Sequence, residues 1–481
     1  MPSQPLRPLL APASVAVVGA SLRASRGRDV LQALLAGGYG GRVYPVNPRY
    51  EEIDGLTCYP DVASLPEVVD CAVIAVPAEA AVDVVAQCSA HGVGAAVVMA
   101  SGFGETGAVG ADLESRLRAA AGPVALCGPN CLGVLNTAMG LSLGLRSADI
   151  VPAGPIGVVM QSGALTSALL DPLARRHVGV SHVVSSGNEA VLDVADYLEA
   201  LVEDPATRVV AVYVEQIRRP ASFVTAARRL RDAGKPVVVL PAGQSRRSAT
   251  VVAAHTGARP NDRDELDATL GAAGAVRVAD VDELVETVLL LAGSPVPPGP
   301  RTAFVSYTGG GNAVLGDLGA AQDHPFAELS RETITRLGAI LPTFGVAMNP
   351  LDITGAAAHD DGILEGCLDI LLGAPEVDMV GVSIGPGYAS TEIEIRRART
   401  TVEAARRSAK PVFGYWYSAA GFVDPVARIF AEHGVPLLQG AAEVLAATQS
   451  LGGLAAAFEG AAPARHEGGR RTLTTGAPAP N

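Results

Sequence analysis

The chain has few aromatic side chains, 4% of 481 residues with a single tryptophan, so its core has to be built from small aliphatic residues. Basic charge is also scarce. The 36 Lys and Arg are outnumbered by 49 Asp and Glu, for a net charge of −13. That balance excludes the broad basic face a nucleic-acid binder needs and leaves room for a few basic groups placed locally. Cysteine is present but unpaired in pattern. Cys58, Cys71, Cys88, Cys127, Cys131 and Cys367 form no CxxC, so neither a zinc site nor a disulfide framework is indicated, and no metal ligands are expected. No apolar run reaches membrane-spanning length. The opening "MPSQPLRPLLAPASVAVVGA" enters a strand with no signal-peptide core, so a cytoplasmic protein is expected, with no membrane partner.

What is there is alternation. Hydrophobic residues make up 49% of the chain, with 54 glycines, which suits an α/β enzyme with many short βα turns. Short runs such as "SVAVVGA", "GRVYPVN", "CAVIAVP" and "AAVVMAS" are bounded by Gly, Pro or Asn and separated by helical stretches. The pattern predicts parallel, doubly wound sheets. Length suggests about three domains. The expected division is a Rossmann-like unit over 1–147, a second parallel-sheet unit over 148–296, a Pro-rich linker "SPVPPGP", and a third unit over 300–458. Units two and three are expected to be flavodoxin-like. The polar 459–481 tail is expected to be disordered.

Units two and three read as repeats. Each opens with a strand running into Gly and a helix ("VVMQSGAL", "VSYTGGGNAVL"). Each has a basic helix leading into a Lys-Pro strand ("AARRLRDAGKPVVVL", "EAARRSAKPVFGYW"). After that strand unit two carries "VVAAHTGARPND", with His255 among small residues; unit three carries "YWYSAAGF" and no histidine. His255 is expected in a loop. Trp416 and its tyrosine neighbours could line a ligand pocket or simply pack a core.

The turn after the first strand, "VVGASLRASRG", lets backbone amides approach a phosphate at Gly19. It is not GxGxxG, since Ser21 and Ala24 stand where glycines would. The second strand ends in Asn47–Pro48, where a dinucleotide site would usually present an acid. NAD is therefore disfavoured, while a nucleotide bearing several phosphates remains open.

The ordered set "VVGAS", "GGYGGRVYPVNPRYEEIDGLTCYPDVASLP", "VDCAVIAVPAE", "SGFGETG" and "CGPNCLGVLN" resembles the CoA-binding domain of ADP-forming (NDP-forming) acyl-CoA synthetases and, more distantly, the α subunit of succinyl-CoA synthetase. The resemblance implies that Gly19, Ser21, Asn47, Pro48, Val76 and Pro77 hold coenzyme A, with Asn130 and Cys131 near the reacting end. Cys131 reads more readily as a small buried thiol than as a nucleophile.

In a parallel unit two, the strand "VVAVYVEQI" and the Lys-Pro strand end on one edge, so Glu215 and the His255 segment share it. "QSGALTS" and "SSGNEA" follow strands too, aiming helix N-termini at the same edge through Ser162, Gly163, Gly187 and Asn188. An imidazole, a carboxylate to orient it and such N-termini suit a transient phosphohistidine. The resemblance agrees: the family's phosphoryl-relay Glu and His match "YVEQI" and "AHTGA". Two departures stand out, Pro241 where the family usually has Lys, and "RPND" after the HTGA segment.

Nothing in the sequence resembles an ATP-grasp module. The resemblance implies an α subunit that uses CoA and a small carboxylic acid, with ATP/ADP and Mg²⁺ bound by a separate ATP-grasp β subunit in a hetero- or homo-oligomer. Two other readings stay open: a CoA-thioester transferase or lyase without the relay, and a non-catalytic CoA-binding regulatory subunit.

Overall fold

The computed structural model describes residues 6–145, 151–256, 262–343, 345–358, 360–385 and 391–458. The 459–481 tail lies outside the described residues. In chain order the strands are β1 (Ser14–Val18), β2 (Arg42–Val46), a small hairpin β3–β4 (Glu52–Ile53, Leu56–Thr57), β5 (Cys71–Ile74), β6 (Ala95–Val98) and β7 (Ala125–Cys127). Then come β8 (Gly133–Asn136), β9 (Leu141–Ser142), β10 (Ala153–Met160), β11 (Val180–Ser185), β12 (Val209–Val214), β13 (Val237–Pro241) and β14 (Val276–Arg277). The last are β15 (Thr302–Ser306), β16 (Leu351–Asp352), β17 (Met379–Ser383), β18 (Val412–Trp416) and β19 (Leu437–Gln439).

Three principal sheets result. The first has the order β2-β1-β5-β6-β7, all parallel. The third has β16-β15-β17-β18-β19, again parallel. Within the second, β11-β10-β12-β13-β14 repeats that order, so the repeat seen in the sequence is a repeat of topology. In each, the second strand lies outside the first, the flavodoxin-like 2-1-3-4-5 order, and the order reverses between the first and third strands. At that point the loops at the carboxyl edge diverge and leave a crevice for ligands.

The second sheet is not wholly parallel. β8 pairs antiparallel with β11, and β9 with β8. This hairpin precedes residue 147 in the chain yet completes the sheet of unit two and covers its β11 edge, which would otherwise present unpaired backbone groups.

The cores run across the units. Cys127 and Val134 share one apolar cluster with Val159, Val184 and Tyr197, joining the first two sheets. A second cluster links Leu170, Val285 and Leu289 to Phe304, Tyr415 and Leu445. The helix Val281–Gly293 is buried from Leu284 through Ala292. Its one buried charge, Glu286, is paired with Arg176 at 2.7 Å, and the helix packs against the last helix, Ala441–Phe458. Tyr415 is fully buried with its ring centroid 5.3 Å from that of Phe304 and packs a core, while Trp416 and Tyr417 at the strand end are half-buried. Among the described residues, no helix is long and apolar enough to cross a membrane.

Candidate functional site

The carboxyl edge of the first sheet is built by three turns tied to one another. Val18, Val46 and Ile74 lie in register, so the strands end level. The Gly19 amide donates to Val46 O at 2.9 Å, and Asn47 Nδ2 donates to Ala20 O at 2.7 Å. Gly19 has φ +89°, and a Cβ there would fall 2.6 Å from Ala75 O and 3.1 Å from a methyl of Val76. Only glycine meets both demands. Gly27 is buried against the same turn, where a Cβ would sit 2.2 Å from Gly19 O. This Gly19–Gly27 pair lets the helix Arg26–Ala36 approach the strand end, and sequence reading, which looked for GxGxxG spacing, passed over Gly27.

Ser21 accepts the Arg23 amide through Oγ at 3.0 Å and shapes the turn. Pro48 and Pro77 are exposed at the rim and Val76 is half-buried. Pro77 precedes the helix Ala78–His91, whose N-terminus has no side-chain cap. Arg23, Arg26 and Arg49 stand exposed on the same turns, with no ion pair among the described residues. In a chain of net charge −13, this is local positive charge beside uncapped helix N–H groups.

The turn after β7 joins this edge to unit two. Gly128 has φ +100°, Asn130 has φ +56°, and the Asn130 amide donates to Ala100 O at 2.9 Å. Asn130 Nδ2 donates to Asn188 Oδ1 at 3.3 Å. Cys131 is 3% exposed and its thiol donates to Val98 O at 3.4 Å. The neighbouring Cys127 and burial together hold that thiol well above the usual range. Thiolate is the reactive form, so Cys131 has the character of a packing thiol.

Facing this turn is the switch point of unit two, between β10 and β12. Ser162 caps the helix Gly163–Arg175, its Oγ accepting the Leu165 amide at 3.4 Å. A Cβ on Gly163 would fall 2.9 Å from the Leu132 side chain, so the helix start sits close against the 128–132 turn. Gly187 has φ +60°, and its Cβ position lies 2.3 Å from Pro129 O. The Asn188 amide donates to Pro129 O at 2.9 Å. Asn188 Nδ2 also reaches Glu105 Oε2 at 2.6 Å. Burial raises the Glu105 carboxyl, but the Asn188 amide and the Gly102 and Phe103 backbone N–H groups outweigh it, leaving a net shift below the ordinary value.

Glu215 follows β12 directly and is 7% exposed. Its amide donates to Gln161 Oε1 at 2.6 Å, and the Gln216 amide does so at 3.1 Å. Tyr213 O–H donates to Glu215 Oε1 at 3.4 Å. Gln161 Nε2 donates to Glu189 Oε2 at 2.9 Å, and Ser186 Oγ donates to Glu189 Oε1 at 2.8 Å. Burial pushes the Glu189 carboxyl up to about 8 against those hydrogen bonds. Arg218 Nη2 holds Asn188 O at 2.8 Å, and Arg219 grips Asp193 through Nε and Nη2 at 2.6 and 2.7 Å. Gln161, Glu189 and Arg218 were missed in the sequence. The only signal for Gln161 was its place at the strand end beside Ser162.

His255 does not lie in a loop, as expected from its small neighbours. The backbone is helical over Arg246–Thr256, started by Ser245 Oγ accepting the Ser248 amide at 3.1 Å. Alanines favour a helix, and Val252, 5% exposed, anchors it. His255 falls on its last turn; its imidazole and residues 257–261 lie outside the described residues. The helix follows β13, which pairs with β12 at Val214↔Pro241, so Glu215 and this helix leave the same sheet edge. Pro241 is the buried last residue of β13. The helix packs against the Gly104–Thr106 turn, whose Glu105 holds Asn188. The strand ends therefore bring together Ser162, Gly163, Gly187, Asn188, Asn130 and Glu215. Gly19, Ser21, Asn47, Pro48, Val76 and Pro77 form a separate cluster on the first sheet.

Residues 13–137 match the CoA binding domain family, and residues 153–291 match the succinyl-CoA ligase like flavodoxin domain. The α subunit of ADP-forming acetate–CoA ligase II of Pyrococcus furiosus is 30% identical over 447 residues, 92% of this chain and 96% of that one. Trans-feruloyl-CoA synthase from an unknown prokaryotic organism is 36% identical over 389 residues, 79% of this chain and 55% of that one. ADP-forming acetate–CoA ligase II of Archaeoglobus fulgidus is 35% identical over 355 residues, 72% of this chain and 52% of that one. The chain thus spans about half the length of the last two. The dinucleotide-forming acetyl-coenzyme A synthetase 1 of Ca. Korarchaeum cryptofilum, solved with phosphate and ADP, superposes with a TM-score of 0.83 at 30% identity, covering 94% of this chain and 98% of that one. In sequence and in fold, the chain belongs to the ADP-forming acyl-CoA ligase family.

Proposed function

We propose that the chain is the CoA-binding, phosphohistidine-bearing α part of an ADP-forming acyl-CoA ligase, and that it works with a separate ATP-grasp β chain. The observation that carries this is the switch point of unit two. There a buried carboxylate, Glu215, is fixed beside the start of the helix Gly163–Arg175 and the Asn130–Asn188 contact, on the edge that the His255 helix leaves. A relative named as an α subunit matches nearly end to end, which supports the division between two chains.

The residues of unit one fit CoA. Its uncapped helix N-terminus and its Arg23, Arg26 and Arg49, with no ion pair among the described residues, suit phosphate groups. No acid occupies the Asn47–Pro48 strand end to select NAD. Gly19, Ser21, Asn47, Pro48, Val76 and Pro77 would shape the nucleotide end, and Asn130 the reacting end. Cys131 would pack beneath it.

In the synthetic direction a His255 ring nitrogen attacks the γ-phosphoryl group of ATP on the partner, which supplies Mg²⁺; an N–P bond forms and ADP leaves. A carboxylate oxygen of the acid then takes the phosphoryl group, giving an acyl phosphate and free His255. The CoA thiol, losing its proton, attacks the acyl carbon and expels phosphate. Glu215 would accept the N–H of the other ring nitrogen and stabilise the charged phosphohistidine. Helix N–H groups at Ser162–Gly163 would receive the phosphoryl oxygens. Gly187 and Asn188 lie in a turn ahead of the helix Val194–Leu201, not at its N-terminus as expected, and with the Asn188 amide spent on Pro129 O they would shape the wall beside them.

Intact-mass measurement after incubation with ATP, Mg²⁺ and an ATP-grasp partner tests the proposal. One added phosphoryl group, removed by acid and stable to base, supports it. CoA binding without phosphate uptake would favour a thioester transferase or a regulatory subunit instead.

A further inference from the structure

Glu189 is a buried acid in an unusual backbone conformation, and it stands where two parts of the site meet. Its carboxyl is enclosed and its φ is +56°, left-handed for a non-glycine residue. Such a conformation persists only where its surroundings hold it. The amides on either side do so: Asn188 N–H donates to Pro129 O and Ala190 N–H to Gly128 O, both at 2.9 Å. These bonds clamp the residue to the 128–130 turn of unit one. The side chain points the other way, taking Gln161 Nε2 at 2.9 Å and Ser186 Oγ at 2.8 Å. Gln161 spends its other end on the amides of Glu215 and Gln216, at 2.6 and 3.1 Å.

An unbroken hydrogen-bonded path therefore runs from the 128–130 turn, through Glu189 and Gln161, to the backbone of Glu215. Every link is buried or nearly so. In such a network no member moves alone without leaving a buried polar group unmatched. A shift of the turn pulls the 188 and 190 amides, and with them the Glu189 carboxyl and the Gln161 amide.

We propose that Glu189 and Gln161 are positioning residues that transmit CoA occupancy at the 128–130 turn to Glu215, setting the carboxylate for phosphoryl chemistry when the thiol substrate is present. This rests on the reading that CoA binds at the carboxyl edge of unit one. It differs from a purely structural role because it ties one ligand to the backbone of a residue on another sheet.

The test is hydrogen exchange at the Glu215 and Gln216 amides in the full chain, with and without CoA at one pH, after calorimetry has established CoA binding. In the wild type CoA slows both amides several-fold. In Gln161→Leu and in Glu189→Ala, CoA still binds but the response is lost. Glu189→Gln, which keeps an acceptor for Gln161, restores it, whereas Glu189→Met, which fills a similar space without an acceptor, does not. A wild-type chain that binds CoA with no change at these amides overturns the relay, and so does a response that survives both disrupting variants. A chain that binds no CoA overturns the reading beneath it, and calorimetry shows that separately.

Discussion

The backbone amide of Glu215, at the end of β12, donates to Oε1 of Gln161, at the end of β10, at 2.6 Å. These are neighbouring strands where the order of the second sheet reverses. The bond fixes the backbone of Glu215 at the crevice from which ligands are taken in this class of fold, and the Tyr213 hydroxyl donates to its carboxylate at 3.4 Å.

Glu215→Gln keeps the size and the backbone bond to Gln161 but removes the charge. Losing a charge-assisted contact of this kind costs about 2–3 kcal/mol. Phosphoryl transfer to the chain is expected to slow by roughly 30- to 150-fold, with CoA binding and thermal stability little changed. Rapid-quench phosphorylation with the partner and ATP reads this. An unchanged rate would reduce Glu215 to a strand-end carboxylate.

Gly19→Ala introduces a Cβ 2.6 Å from Ala75 O into a backbone at φ +89°. The strain is about 1–3 kcal/mol, and the turn has to open. CoA binding by calorimetry is expected to fall sharply, along with the melting temperature. The wild type is expected to bind CoA and not NAD. Tighter binding of NAD, or full CoA affinity in the variant, would contradict the assignment of this turn.

Glu189 gives the stability a defined pH slope. Burial, aided by the charge of Asp193 and opposed by Ser186, Arg218 and Gln161, raises its carboxyl from an ordinary 4.5 to about 8. Between those values the folded chain holds a proton that the unfolded chain has released. The contribution is therefore fully present below about 4.5 and is lost as pH rises toward about 8. Glu189→Gln has no such proton, so its melting temperature relative to wild type is expected to climb from pH 5 to pH 8. A flat difference would show that Glu189 is ionised across this range in the folded state.

The buried cysteines are expected to be inert. All six are buried, and Cys131 is held away from its thiolate form. Native protein treated with iodoacetamide at neutral pH should stay unlabelled at Cys131, and Cys131→Ala should still convert acyl phosphate and CoA to thioester. Rapid labelling, or loss of that half-reaction, would make Cys131 a participant.

The three-sheet architecture was legible because β-strand runs and helical stretches alternate so regularly, and the repeat of units two and three because both keep a Lys-Pro strand. The edge shared by Glu215 and the His255 segment followed from parallel topology alone. The helix around His255 was not legible: small residues read as a lack of packing, whereas Ala253 and Ala254 extend a helix anchored by Val252. The β8–β9 hairpin was assigned with unit one by its place in the chain, but its partner strand, β11, comes about forty residues later. Gln161 and Glu189 were invisible for a related reason. Gln161 meets Glu215, 54 residues on, because β12 lies beside β10, and it meets Glu189, 28 residues on, because β11 lies on the other side of β10.

The central claim is that His255 carries a phosphoryl group between two chains. His255→Ala should preserve the helix, since alanine is the better helix former. Incubated with an ATP-grasp partner, ATP and Mg²⁺, the wild type should gain one acid-labile, base-stable phosphoryl group by intact mass and the variant none. The variant should still make thioester from acyl phosphate and CoA. A variant that couples ATP consumption to thioester formation as the wild type does would contradict the account.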